Sequence, residues 1–166
     1  MSVHLTTVIT RELRALAREI RAYPDDESLW QPIPGAANAG GTLALHLAGN
    51  IQHYVGARLG GSDYARDRAA EFARRGVSRL ELMAEVEKAI AAVEHTLPAM
   101  QPHVWAADFP EVVGGRIIRT DEFVLHLATH LAWHLGQMDY HRRAVTGEAA
   151  KIGAVAVTEL GTARLA

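Results

Sequence analysis

The chain has no cysteine in its 166 residues. That absence removes disulfides, thiolate metal ligands and a cysteine nucleophile together, and leaves His, Asp and Glu as the side chains able to bind a metal. Any thiol chemistry would need an external thiol. An excess of charge of one sign is also missing: the net charge is −2 and the pI near 6.5. A basic footprint for nucleic acid or an anionic membrane is therefore absent, and neither partner is expected. No apolar run approaches membrane-spanning length, and the opening Met1-Ser-Val-His4-Leu-Thr-Thr7 carries no basic-then-apolar leader pattern, so a cytoplasmic protein is expected. There is no internal repeat and no low-complexity segment.

What is present suits one globular domain, with 49% hydrophobic and 22% charged residues, enough to build a core of its own. Leu5, Ile9, Leu13, Leu16 and Ile20 recur at helical spacing and predict a first amphipathic helix over residues 2–22. Tyr23-Pro24-Asp25-Asp26 ends it, a loop follows through Gly41, and Trp30 is expected to pack over a helix end. A second helix is predicted over 42–59, stopped by Gly60-Gly61. Residues 62–76 are rich in charge and read as a connector with a short exposed helix. Ser78 and Glu81 form a capping-box pattern that starts a third helix, with Leu82, Val86, Ile90, Val93 and Leu97 as its stripe and Pro98 and Pro102 as its stop. Residues 103–119 surround Gly114-Gly115 and predict a small hairpin or an ordered loop. A long last helix covers about 120–145. The expectation is an all-α four-helix bundle over residues 1–147, with 148–166 as a tail docked on it or trailing from it.

The last helix carries the most chemistry. His126, His130 and His134 follow at i, i+4 and i+8 and so share one stripe. Leu127, Leu131, Leu135 and Met138 flank the stripe on one side and Trp133 and Tyr140 on the other, while Asp121, Asp139 and Arg143 lie away from it. The histidines, with Gln137 and His141, are thus expected to face the interior. The second helix repeats the pattern, with His46, Asn50 and His53 set into a face that also holds Leu43, Leu47, Tyr54 and Ala57. Buried imidazoles need partners for both ring nitrogens, so such a seam is costly unless something satisfies it.

Two histidines one turn apart can share a metal ion, and a third from a facing helix closes a three-histidine site. His46 and His53 are about 10 Å apart along the axis, so at most one of them joins a given ion. His126 and His134 are similarly too far apart, which leaves 126/130 or 130/134 as the pair. His130 belongs to either choice, and His4, His95, His103 and His141 read as exposed or locally hydrogen-bonded. A zincin is excluded because Leu131, not Glu, follows His130. A di-iron carboxylate bundle is excluded because no Glu-x-x-His occurs. Three neutral imidazoles would leave a divalent ion its full charge and an open position.

The run His130-Leu-Ala-Trp-His134-Leu-Gly-Gln137-Met-Asp-Tyr-His-Arg-Arg143 resembles the C-terminal signature of the DinB-like superfamily, and Leu43-Ala-Leu-His46-Leu-Ala-Gly-Asn50 resembles its second-helix signature. The resemblance extends over most of residues 2–147. It implies a four-helix bundle, often a homodimer, holding zinc or nickel through His46, His130 and His134. His53 and His126 then fall outside the ligand set. Relatives with assigned activity include metal-dependent transferases and isomerases that use low-molecular-weight thiols such as bacillithiol or mycothiol. The functional expectation is a metal-dependent thiol S-transferase acting on a small-molecule electrophile. Asn50 and Gln137 are the candidates to orient ligands, with Tyr54 or Trp133 lining the pocket. The alternatives are a hydrolase using a metal-bound water and a non-catalytic metal-binding or structural bundle.

Overall fold

The computed structural model of the chain describes residues 2–165, and their secondary structure is all helical, without a β-strand. The helices are α1 (Ser2–Ala22), α2 (Gly40–Ile51), α3 (Arg68–Ala73), α4 (Arg79–Ala99), α5 (Pro102–Ala106) and α6 (Thr120–Thr146). None is long and apolar enough to cross a membrane. The periodic apolar residues behave as their spacing requires: Leu5, Ile9, Leu13, Leu16 and Ile20 of α1 and Leu82, Val86, Ile90, Val93 and Leu97 of α4 are all buried. Ser78 caps α4 by accepting from the Glu81 amide while Glu81 answers to Ser78, as the sequence signature predicts. Pro98 does not stop α4; it sits inside the final turn, where the helix ends one residue later and only one ladder bond is forfeited.

The four longest helical segments pack around one core. α1 and α2 lie diagonally, each packed against both α4 and α6. The contacts fix the directions. Tyr23 at the end of α1 meets Arg79 at the start of α4 and His141 near the end of α6, so α1 is antiparallel to α4 and parallel to α6. Gln52 reaches Glu85, and Gly60 lies against Thr96, so α2 and α4 are parallel. His46 meets His130, and Tyr54 meets Phe123, so α2 and α6 are antiparallel.

α2 does not end at Ile51 but continues as a π-helix over Gln52–Leu59, then stops at Gly60 and Gly61, the latter at φ 71°. The wider turn sends Gln52 to Glu85 on α4 and His53 to Glu111 on the loop before α6. That loop holds α5 and a two-residue turn at Gly114-Gly115, both at positive φ, closed by paired bonds between Val113 and Arg116. The expected hairpin is reduced to this turn and an isolated bridge between Asp108 and Arg119. Phe109 from the same loop packs edge-on against Tyr54 and at a tilt against Phe123 and closes the core at that end.

The tail lies along α1. Arg18 donates to the carbonyls of Ile152 and Gly153 and pairs with Glu159. Arg142 of α6, 1% exposed, donates to Glu19 at 2.6 Å, to Asp139 at 2.8 Å and to the carbonyl of Ala150 at 2.9 Å. A buried charge of this kind is held by its partners, and removing one side strands the other. Arg142→Met should therefore cost about 3–5 kcal/mol in urea unfolding. Adding Glu19→Leu should recover a large part of that loss, because no orphaned carboxylate then remains.

Candidate metal centre

Because α2 and α6 are antiparallel, one turn of α2 faces two turns of α6, and this brings His46 against His130 and His134. One ring nitrogen from each of the three lies within 4.8 Å of the others. His46 Nε2 and His130 Nε2 are 3.4 Å apart. Nitrogens each about 2.1 Å from one tetrahedral ion sit about 3.4 Å apart, so this spacing already suits a shared cation. The three side chains form a group that can hold a metal ion.

Their protonation suits the same role. His46 Nδ1 donates to Glu71 Oε2 at 2.9 Å, which leaves the Nε2 lone pair facing the other rings. His134 Nδ1 donates to Gln137 Oε1 at 2.6 Å, with the same consequence for its Nε2. His130 is held neutral: burial, then the neighbouring His134 and His46 rings, push its pKa down to about 4. Its Nδ1 is buried without a partner.

Glu71 is the residue that sequence reasoning missed. It lies in the charge-rich segment read as an exposed connector, yet it is only 6% exposed. Arg66 grips both of its oxygens, at 2.7 and 2.9 Å. Burial opposes ionisation of Glu71, but the hydrogen bonds from Arg66 and His46 outweigh it and hold the carboxyl below its usual range. Gly49 makes the approach possible, because a Cβ there would collide with Glu71 Oε1. Glycine in the middle of a helix costs roughly 1 kcal/mol against alanine, so its place here has a use. The available signals were Asp67 as an N-cap for α3, accepting from the Ala70 amide at 2.8 Å, and a helical glycine one turn from a histidine.

The other predicted residues divide. Asn50, one turn beyond His46, is buried, and its Oδ1 has no hydrogen-bond partner. Gln137 is exposed and holds His134. His53 is spent on Glu111 at 3.0 Å, an acid that also pairs with Arg58. His126 is exposed, and His130 and His134 are half-buried, so the α6 stripe runs along the edge of the core rather than through the interior. The reason is that Leu127, Leu131, Leu135 and Met138 take the inward arc for themselves. Trp133 is 70% exposed and lines nothing, while Tyr54 packs between His53, Phe109 and Phe123. His141 is not exposed but buried, joining the Tyr23 hydroxyl at 2.8 Å to the Gln31 carbonyl at 2.8 Å.

A cleft of about 400 Å³ opens beside His134, walled by the 33–38 loop, Leu43, Gln137, Tyr140 and His141. The three histidines and their carboxylate support form a group able to bind a cation, and the cleft adjoins that group at His134. No family model matches the chain, and no curated protein matches it.

Metal content of untagged protein, measured by plasma mass spectrometry, should be near one equivalent and be lost in His46→Ala, His130→Ala and His134→Ala. His53→Ala and His126→Ala should keep it, and Glu71→Gln should weaken affinity by about 10–100-fold, the usual effect of removing such support. In metal-free protein, pH supplies a second check. His130 takes up its proton near 6.5 when unfolded and only near 4 when folded, so the unfolded chain binds more protons between those values and stability falls as pH falls through them. Glu71 acts in the same direction at lower pH, its contribution being lost as pH drops through its depressed folded value. Urea midpoints should decline from pH 7 to pH 4, and His130→Gln should flatten the upper part of that decline.

Proposed function

We propose that the chain is a DinB-like four-helix bundle that holds one divalent cation, zinc or nickel, on His46, His130 and His134 and transfers a low-molecular-weight thiol to a small electrophile. The observation that carries this reading is the convergence of three imidazole nitrogens within 4.8 Å, with no fourth protein ligand grouped beside them among the described residues. The resemblance of the two histidine segments to that superfamily points the same way and further suggests a cytoplasmic homodimer.

A bound dication would supply the charge that keeps a thiol sulfur as thiolate near neutral pH. The chain's own residues do the rest. Glu71 and Gln137 fix the orientation and tautomer of His46 and His134. Asn50 offers a buried carbonyl oxygen with nothing to accept, a place for a donor on a bound substrate. The sulfur of the cosubstrate would form a bond to the electrophilic carbon, either as a halide departs with the thiol proton released to solvent, or as an epoxide C–O bond opens and the resulting alkoxide takes up a proton from solvent.

Hydrolysis is the weaker reading because no carboxylate beside the histidines is free to assist proton removal from a metal-bound water. Glu71 is committed to Arg66 and His46, and Glu111 to His53 and Arg58. A screen of low-molecular-weight thiols against epoxides and alkyl halides should find metal-dependent consumption of at least one pair, abolished in His130→Ala. Asn50→Leu should lower kcat by about tenfold, the size of one lost hydrogen bond. Metal-dependent turnover without any thiol would replace transfer by hydrolysis.

A further inference from the structure

The cleft beside His134 has a chemical character of its own. Its walls are Ile33, Ala36, Ala37, Leu43 and the Tyr140 ring, and no Asp, Glu, Lys or Arg lines it. The polar atoms within reach are few. His141 lines the cleft but has both nitrogens engaged, one with Tyr23 and one with Gln31, so it offers ring surface only. Gln137 uses its carbonyl on His134, which leaves its NH₂ group free to donate. Asn38 contributes the remaining amide.

Such a wall discriminates by charge. In the metal-free protein a carboxylate or ammonium entering it would shed part of its hydration and meet no counter-ion among the lining side chains. A neutral molecule with one acceptor oxygen would bury its apolar body against Ile33, Leu43 and Tyr140 and receive a hydrogen bond from Gln137. At the roughly 30 Å³ that one water occupies in the liquid, the cleft has room for about a dozen non-hydrogen atoms. Gln137 also ties the cleft to the histidines, since the amide that would greet the ligand is the one that orients His134.

We propose that this cleft is the binding site of an uncharged, largely apolar small molecule carrying a carbonyl, epoxide or ether oxygen. Its assignment as the electrophile's site rests on the thiol-transfer reading. The occupant would lie with its polar end toward Gln137 and His134 and its apolar end under the 33–38 loop.

A pair of probes of equal shape tests the charge rule, 2-phenylacetamide and phenylacetate, titrated into full-length protein both metal-free and zinc-loaded and followed by methyl NMR. The amide should shift the methyls of Ile33, Ala36 and Leu43 in both preparations. Phenylacetate should bind the metal-free protein at least tenfold more weakly; the metal-free form decides this, because a carboxylate can ligate zinc. Ala37→Trp fills the cleft from an exposed loop position, so it should weaken the amide at least tenfold while zinc stoichiometry stays unchanged. Phenylacetate binding the metal-free protein as well as the amide, amide shifts absent from those methyls, or indifference to Ala37→Trp would each overturn the proposal. Amide binding in the cleft with no reaction of any thiol would remove the transferase reading alone. Thiol turnover of a neutral electrophile at unchanged KM in Ala37→Trp would remove the cleft alone.

Discussion

α2 and α4 pack side by side and point the same way, and much of the site follows from that. A parallel pair cannot be joined by a short turn: the chain must leave the far end of α2 and return along its whole length before α4 can begin. Residues 61–78 make that return, and they pass over the face of α2 that carries His46. Arg66 crosses the Tyr54 ring, Glu71 reaches the His46 imidazole, and Trp30 secures the end of the path by donating to the Val77 carbonyl. The connector is therefore the support of the site as much as a link between helices. Gly49 is the complementary feature on α2, a gap in the helix surface that the carboxylate fills.

A row of histidines along two facing helices would be a liability if every ring competed for the same partners. Here each ring has a distinct assignment. His141 bridges Tyr23 and the Gln31 carbonyl, His53 takes Glu111, and His126 turns to solvent. What remains is His46, His130 and His134, two with Nδ1 occupied and Nε2 turned toward the common centre. Spending Nδ1 of His46 and of His134 on Glu71 and Gln137 leaves their other nitrogens for one place beside His130. Burial and mutual repulsion then keep His130 unprotonated near neutral pH, so the ring keeps a lone pair that a cation could use.

Periodicity made the helices legible in the sequence, since an apolar stripe on α1 or α4 has one stable burial and the capping box at Ser78 has one geometry. The spacing of His130 and His134 was legible for the same reason. What pattern could not supply was depth. A stripe drawn on a wheel says which residues share a face, but α6 gives its inward arc to leucines and Met138, so its histidines stop at the core's edge and Trp133 lies outside it. Nor could a run of charges reveal that one member is buried, because Glu71 and Arg66 satisfy each other only after the crossover has folded back on α2. His141 and Glu111 are likewise explained by partners far away in the chain, which no local window contains.

The distribution of charge around the histidines bears on what they could serve. The Glu71–Arg66 pair lies on the outer side of His46, each charge cancelling the other, and the His53–Glu111–Arg58 group lies beyond, toward the loop before α6. The cleft beside His134 has no charged side chain. A dication held by three neutral imidazoles would thus find no protein anion at its open position, and its charge would be answered most directly by an anionic ligand brought in from solution. A thiolate meets that need while its own basicity falls, and the reacting partner can then remain neutral. A second anion in the cleft would instead meet no cationic side chain of the protein. On the proposed thiol transfer, a division between one charged and one uncharged reactant would follow from where this fold has left its ionic groups.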